Sequence, residues 1–131
     1  MTDQTARRLI LIVDDNDKNL KLMRDVLQFH GYRTAEATTA EEGIAISLRD
    51  RPDLVLMDVR LPGMDGLAAL KVLRADPRTA RMPVVAVTAS VMPDERDVFG
   101  AAGFDGFIAK PIDVRAFPRQ IESYLASERR P

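Results

Sequence analysis

The chain has 131 residues, which is enough for one compact domain with a hydrophobic core and too few for two ordinary domains. Its 19 basic and 20 acidic residues leave a formal charge of -1, which excludes a general electrostatic attraction to nucleic acid or to anionic membranes. The absence of cysteine excludes disulfides, and because no apolar stretch is long enough for a secretion signal or a membrane span, we expect a cytoplasmic protein.

The first predicted element is a strand at 9–13, a continuous, β-branched-rich apolar run that is typical of a strand buried on both faces. A helix follows and ends before Gly31. Its apolar stripe consists of Leu20, Met23 and Leu27. A weaker, more polar strand at 32–37 suits a sheet edge, and a possible capping box, Thr39 with Glu42, then begins the second helix. Its expected apolar residues are Ile44 and Leu48.

The middle of the chain repeats this alternation. An apolar strand is predicted at 54–57, and a third helix follows it. The apolar stripe of that helix is Leu67, Leu70 and Leu73. The run at 83–87 predicts another buried strand, and the fourth helix should begin at Pro93, with Asp94 in its first turn, and end at Gly103.

The last predicted strand is short, at 107–109, and a fifth helix is expected after Asp113. The apolar residues of this helix are Ile121 and Leu125. Pro118 would lie about one turn inside the helix, where proline removes a hydrogen bond, so the helix either starts later or is kinked. We expect a flexible N-terminus at 1–7, one domain at 8–127 and a C-terminal tail at 128–131.

Strands and helices thus alternate five times along the sequence. Parallel strands need crossover connections of this kind, so the pattern predicts an α/β fold in which helices cover both faces of a parallel sheet. Four apolar runs end in polar residues, and in such a sheet all these residues meet at one edge, where open α/β folds bind their ligands. They are Asp14 with Asp15, then Asp58, Thr88, and Lys110 followed by Pro111.

The acidic residues of this group predict a metal site. Carboxylates about 4 Å apart repel by roughly 4 kcal/mol at an effective dielectric constant near 20, so they require raised pKa values, a cation, or both. An all-oxygen site that is open to water suits Mg²⁺. Lys110 and Thr88 can bind the oxygens of a phosphoryl group, and a carboxylate oxygen of Asp58 can accept that group covalently.

These residues resemble the receiver domain of bacterial two-component response regulators, and the likeness extends from Arg8 to about Ser127. The matching segments are Asp14-Asp15-Asn16, the run LMDVRLPGMDG that contains Asp58, Val87-Thr88-Ala89 and Ala109-Lys110-Pro111. The resemblance implies a flavodoxin-like, doubly wound (βα)5 fold with strand order 2-1-3-4-5.

The resemblance also implies the roles of individual residues. Asp58 would take a phosphoryl group from a phosphohistidine on a histidine kinase or a histidine phosphotransfer protein. The implied Mg²⁺ ligands are Asp15, Asp58 and the backbone carbonyl of Arg60, with Asp14 acting through a metal-bound water. Thr88 and Lys110 would contact the phosphoryl oxygens, and the bond between Lys110 and Pro111 would be cis.

The family couples this site to a distant surface through two further positions, which are Thr88 and Phe107 in this chain. The implied output is an altered protein-binding face on the fourth helix, the last strand and the fifth helix, around Phe99, Phe107 and Phe117. We expect a stand-alone receiver, a monomer or weak dimer, that binds a downstream protein target and neither nucleic acid nor membrane. Its own chemistry would be limited to self-phosphotransfer and autodephosphorylation.

Two other classes of function are open. An aspartyl-phosphate phosphatase also uses an aspartate at a strand end with Mg²⁺, but it carries a second acid two residues later, where this chain has Arg60. A degenerate receiver would bind partners without being phosphorylated, which the presence of Asp58, Thr88 and Lys110 disfavours.

Overall fold

The structure, a computed structural model, describes residues 8–89 and 93–126. The predicted N-terminus at 1–7 and tail at 128–131 lie outside these ranges, as does residue 127. Five strands and five helices alternate in the described residues. They are β1 (Leu9–Val13), α1 (Asp17–Phe29), β2 (Arg33–Ala37), α2 (Ala40–Asp50), β3 (Leu54–Asp58), α3 (Gly66–Ala75), β4 (Val84–Thr88), α4 (Pro93–Ala102), β5 (Gly106–Ala109) and α5 (Phe117–Ala126).

The strands form one parallel sheet in the order β2-β1-β3-β4-β5, which confirms the predicted α/β fold and its strand order. In its register Val13 pairs with Met57, and Asp58 pairs with Val87. The residues that end neighbouring strands are therefore side by side at one edge of the sheet.

Each face of the sheet carries its own layer of helices. Alternate residues of a strand point to opposite faces, so Ile10 and Ile12 pack with α1 and α5, whereas Leu11 and Val13 pack with α2, α3 and α4. All residues of β3 and β4 are buried, as their continuous apolar runs predict. None of the helices in the described ranges is both long enough and apolar enough to cross a membrane.

The stripe predicted for α2 lies only partly in the core. Ile44 and Leu48 are half-buried, although Ile44 packs against the core, because the face that contains Gly43 and Ile46 is turned toward the sheet. Gly43 approaches β1 so closely that an added Cβ would lie 2.8 Å from Cγ2 of Val13. The buried residues of α2 are Ala40, Gly43, Ile46 and Ser47.

The position of Pro118 is explained by a later start of the fifth helix. Because α5 begins at Phe117, Pro118 lies in its first turn, where a backbone N–H has no acceptor within the helix. Asp113 begins a turn that leads into α5, since its Oδ1 accepts the Arg115 N–H at 2.9 Å and its carbonyl accepts the Phe117 N–H at 2.9 Å. The first of the two alternatives, a later start, is the one that the structure adopts.

Candidate functional site

The carboxyl ends of four strands bring the predicted site residues together. Asp14 directly follows β1, and its N–H still pairs with the sheet through the carbonyl of Ala37 at 3.0 Å. Asp58 and Thr88 are the last residues of β3 and β4, and both are buried. Lys110 follows β5, and its N–H donates to the Thr88 carbonyl at 2.9 Å. The Lys110–Pro111 peptide bond is cis.

Lys110 lies between the two buried carboxylates. Its Nζ atom is 2.9 Å from Oδ2 of Asp14 and 3.0 Å from Oδ2 of Asp58. The three side chains are 15%, 1% and 7% exposed, respectively, so these charges interact largely out of contact with water. Such contacts are much stronger than surface ion pairs, and removal of one partner is correspondingly costly.

Backbone N–H groups fix the other oxygen of each buried carboxylate. Oδ1 of Asp14 accepts the Asn16 N–H at 2.9 Å, and Oδ1 of Asp58 accepts the Arg60 N–H at 2.9 Å. Asn16 also caps α1, since its side chain accepts the Asn19 N–H at 3.0 Å. Within the described residues, the buried Oδ2 of Asp14 has no hydrogen-bond donor of good geometry, although Lys110 is close to it.

The charge states of the site follow from this arrangement. Burial raises the pKa of Asp14, and this effect exceeds the opposing influence of Lys110 and of the Asn16 N–H. Burial alone would lower the pKa of Lys110, but the adjacent carboxylates of Asp14 and Asp58 outweigh burial and raise that pKa. Lys110 therefore stays positively charged at neutral pH, whereas the charge on Asp14 is incompletely compensated.

Three carboxylates in this group are close enough to share a cation. Asp14, Asp15 and Asp58 each offer an oxygen, and these oxygens all lie within 4.8 Å of one another. Asp14 and Asp58 are buried and Asp15 is exposed, so the cluster is open to solvent on one side. Oxygen ligands, an open side and a buried oxygen without a well-oriented donor all fit Mg²⁺, which retains several waters when it binds to proteins.

Gly66 is a residue of the site that the sequence did not single out. An added Cβ would lie 2.6 Å from the carbonyl oxygen of Asp58 and 2.8 Å from Cα of Val59, so only glycine lets α3 begin this close to the end of β3. The available signal was a glycine directly after Asp65, whose side chain caps α3 by accepting the Ala68 N–H at 2.9 Å.

The residues predicted to relay a signal lie on neighbouring strands. Thr88 pairs with Ala109, and Phe107 lies two residues earlier on β5. The half-buried Phe107 ring packs toward α4, with its centroid 6.0 Å from that of Phe99.

The composition of the expected protein-binding face needs a correction. Phe117 is fully buried and Phe99 is 6% exposed, because both side chains fill the layers on either side of the sheet. A partner cannot contact them directly. Val98 on α4 is instead 57% exposed and is an apolar residue on this side of the molecule that a partner can reach.

Comparison with known protein families and sequences gives consistent matches. The profile of the response regulator receiver domain matches residues 10–122. The polar-differentiation response regulator DivK of Brucella anthropi is 39% identical over 116 residues, which cover 88% of this chain and 94% of that protein. DivK of Brucella ovis is 38% identical over the same length and with the same coverage.

Solved structures show the same similarity in three dimensions. A putative response regulator from Chloroflexus aurantiacus is 30% identical, with a TM-score of 0.86, and the alignment covers 92% of this chain and 98% of that one. The receiver domain of a sensor histidine kinase from Pseudomonas aeruginosa, which holds a magnesium ion in its active-site cleft, is also 30% identical, with a TM-score of 0.84. That alignment covers 92% of this chain and 99% of the other.

Proposed function

The chain belongs to the response regulator receiver family of two-component signalling, and from this membership we propose that Asp58 is its phosphoacceptor. The observation that carries this assignment is the position of Asp58 at the buried end of β3, with its Oδ2 held 3.0 Å from Nζ of Lys110. The phosphoryl donor is a phosphohistidine on a histidine kinase or a histidine phosphotransfer protein.

The proposed reaction is an in-line transfer from nitrogen to oxygen. A carboxylate oxygen of Asp58 attacks phosphorus, a P–O bond forms as the P–N bond breaks, and the electron pair returns to the imidazole nitrogen of the donor. Lys110, which donates to Asp58 at rest, and the hydroxyl of Thr88 then bind phosphoryl oxygens as negative charge develops on them. Self-phosphotransfer and autodephosphorylation are the only reactions that we assign to the chain.

Receiver domains bind Mg²⁺ at an acidic pocket, and we assign the ligands in this chain to Asp15, Asp58 and the backbone carbonyl of Arg60, with Asp14 acting through a water. The grouping of the carboxylate oxygens within 4.8 Å supports this assignment, as does the buried Oδ2 of Asp14, for which the described residues provide no hydrogen-bond donor of good geometry. When bound, the ion supplies the positive charge that offsets carboxylate repulsion and attracts the phosphoryl group.

We further propose that phosphorylation is read at a face formed by α4, β5 and α5. Thr88 moves toward the phosphoryl group, and the Phe107 ring follows into the space beside β4, which alters the packing against Phe99. The downstream target is a protein that contacts this face, including the exposed Val98. We assign no nucleic-acid or membrane ligand, and we expect a monomer or weak dimer.

The DivK relatives suggest the setting of this switch. They are polar-differentiation regulators, and the alignment covers 94% of their length, which supports the proposal that this chain acts as a receiver in a phosphorelay. We place the phosphoryl exchange in the cytoplasm, where ATP-dependent histidine kinases act.

Incubation with Mg²⁺ and acetyl phosphate tests the proposed function. Intact mass should show one added phosphoryl group in the wild type and none in Asp58→Asn, whereas Asp113→Asn, at an exposed position of the β5–α5 segment, should still be phosphorylated. Absence of the adduct in the wild type would support a degenerate receiver. Sustained turnover of unrelated phosphate esters would instead support a phosphatase.

A further inference from the structure

Tyr124 on α5 closes the free edge of the sheet at β5. Its hydroxyl accepts the N–H of Phe107 at 3.3 Å and donates to the carbonyl of the same residue at 3.2 Å. Because β5 is an edge strand, the backbone groups that face away from β4 have no neighbouring strand to pair with. One hydroxyl therefore satisfies both the donor and the acceptor of Phe107.

Gly106 makes this contact possible. A Cβ at position 106 would overlap the aromatic ring of Tyr124, and the hydroxyl oxygen would lie only 2.5 Å from it. The ring thus lies directly against the backbone of β5, in space that any other residue at position 106 would fill. Tyr124 and Gly106 together form a close, hydrogen-bonded contact between α5 and β5.

Phe107 is consequently held from two sides. Its backbone is bonded to Tyr124 on α5, whereas its ring lies on the opposite face of the sheet, against Phe99 on α4. Movement of this one residue therefore affects contacts with both helices. Loss of the hydroxyl would remove the two hydrogen bonds that join α5 to the backbone of β5 at Phe107.

We propose that Tyr124 is a positioning residue of the switch, which transmits the response of Phe107 to α5 through its two hydrogen bonds to the strand. The proposal rests on the function assigned to Asp58, Thr88 and Phe107. In this arrangement a change at the acceptor site shifts α4 through the ring of Phe107, which contacts Phe99. The same change shifts α5 through the backbone of Phe107, which is bonded to Tyr124. The two helices then respond together.

The variant Tyr124→Phe tests this role, because it retains the ring against Gly106 and removes both hydrogen bonds. Tyr32→Phe is the matched control, since Tyr32 is the other tyrosine of the chain and packs in the same layer as α5. In the unphosphorylated protein, amide exchange at Phe107 should become about 5- to 10-fold faster in Tyr124→Phe, the factor expected for loss of the one hydrogen bond that this amide donates. The control should match the wild type.

The coupling itself is measured by methyl NMR with Mg²⁺ and beryllofluoride. Val98 reports on α4, and Ile121 reports on α5. In Tyr124→Phe the Val98 shift should persist, and the Ile121 shift should fall to about half or less of its wild-type size, because its connection to β5 is lost. A Gly106→Ala variant, which displaces the hydroxyl by a different route, should give the same pair of effects.

Two results would overturn the proposal. Unchanged exchange at Phe107 would show that the hydroxyl does not hold the strand, and a full Ile121 shift in Tyr124→Phe would show that α5 responds without it. Failure of the assigned function looks different, because beryllofluoride would then shift neither methyl group in the wild-type protein.

Discussion

Replacement of Lys110 by methionine measures how strongly the buried carboxylates depend on the lysine. Methionine retains the apolar stem and removes the charge, leaving Asp14 and Asp58 without the ammonium at 2.9 and 3.0 Å. Each contact is worth about 5.5 kcal/mol of attraction at an effective dielectric constant near 20, but desolvation offsets most of this energy. We expect the free energy of unfolding to fall by about 3 kcal/mol, the low end for a broken buried pair, because Asp14, whose pKa burial already raises, can take up a proton.

Lys21→Met is the matched control. Lys21 lies 2.7 Å from Asp25, a shorter contact than either contact of Lys110, but the two side chains are 68% and 50% exposed. Exposed pairs of this kind contribute less than about 1 kcal/mol. The burial of the two ion pairs, and not the distance between their atoms, should therefore decide which lysine variant loses more free energy of unfolding.

Urea unfolding at neutral pH in the presence of EDTA gives the free energy of unfolding for both variants. When the urea titration is repeated with Mg²⁺, the free energy of unfolding should rise more for Lys110→Met than for the wild type, because the ion then binds the carboxylates without competition from the ammonium. At an Mg²⁺ concentration of 100 times Kd, binding adds about 2.7 kcal/mol. Equal losses for the two lysine variants in EDTA would refute this reasoning, as would weaker stabilisation of Lys110→Met by Mg²⁺.

Three further predictions concern other features of the structure. The folded protein holds a proton on Asp14 more tightly than the unfolded chain does, because burial raises the pKa of this carboxyl above its ordinary value of 3.8. The free energy of unfolding of the metal-free wild type, relative to that of Asp14→Asn, should therefore fall as the pH rises from 3.8 through the raised pKa. Urea unfolding across that pH range measures this difference. Gly66→Ala should lower the free energy of unfolding by about 1–3 kcal/mol, because the added Cβ overpacks against β3, and calorimetry should show weaker Mg²⁺ binding. Gly100→Ala should instead raise the free energy of unfolding by about 0.5–1 kcal/mol, because a Cβ at that position has no close contact within 4 Å. Arg74→Met should lower the free energy of unfolding by about 3 kcal/mol. The reason is that the largely buried guanidinium donates to the carboxylate of Asp105 at 3.0 Å and to backbone carbonyls. A loss below about 1 kcal/mol would contradict this.

Local patterns were sufficient for most of the secondary structure. The strand at 9–13 and the end of the fourth helix at Gly103 follow directly from composition, since a continuous apolar run suits a doubly buried strand, and Gly103 has a φ of +115° that other residues rarely adopt. The partial exposure of the α2 stripe has a tertiary cause. Gly43 let the helix approach Val13, and this rotated the predicted stripe of Ile44 and Leu48 partly out of the core.

The sequence by itself determined the alternation of strands and helices, and with it the common edge at which Asp14, Asp58, Thr88 and Lys110 meet. It determined this because parallel strands with helical crossovers all end on the same side of the sheet. Only the tertiary structure decided which oxygen faces which donor, since those contacts join residues as distant in the chain as Asp58 and Lys110.

The same holds for the α5 side of the molecule. No residue next to Tyr124 in the sequence indicates its role. Its position in the predicted fifth helix does not indicate which strand its side chain contacts. Its hydroxyl reaches Phe107 because Gly106 leaves space for the ring, and that space exists only once β5 and α5 have packed. Close approach between distant segments is a property of the packed chain, and a pattern along the sequence does not contain it.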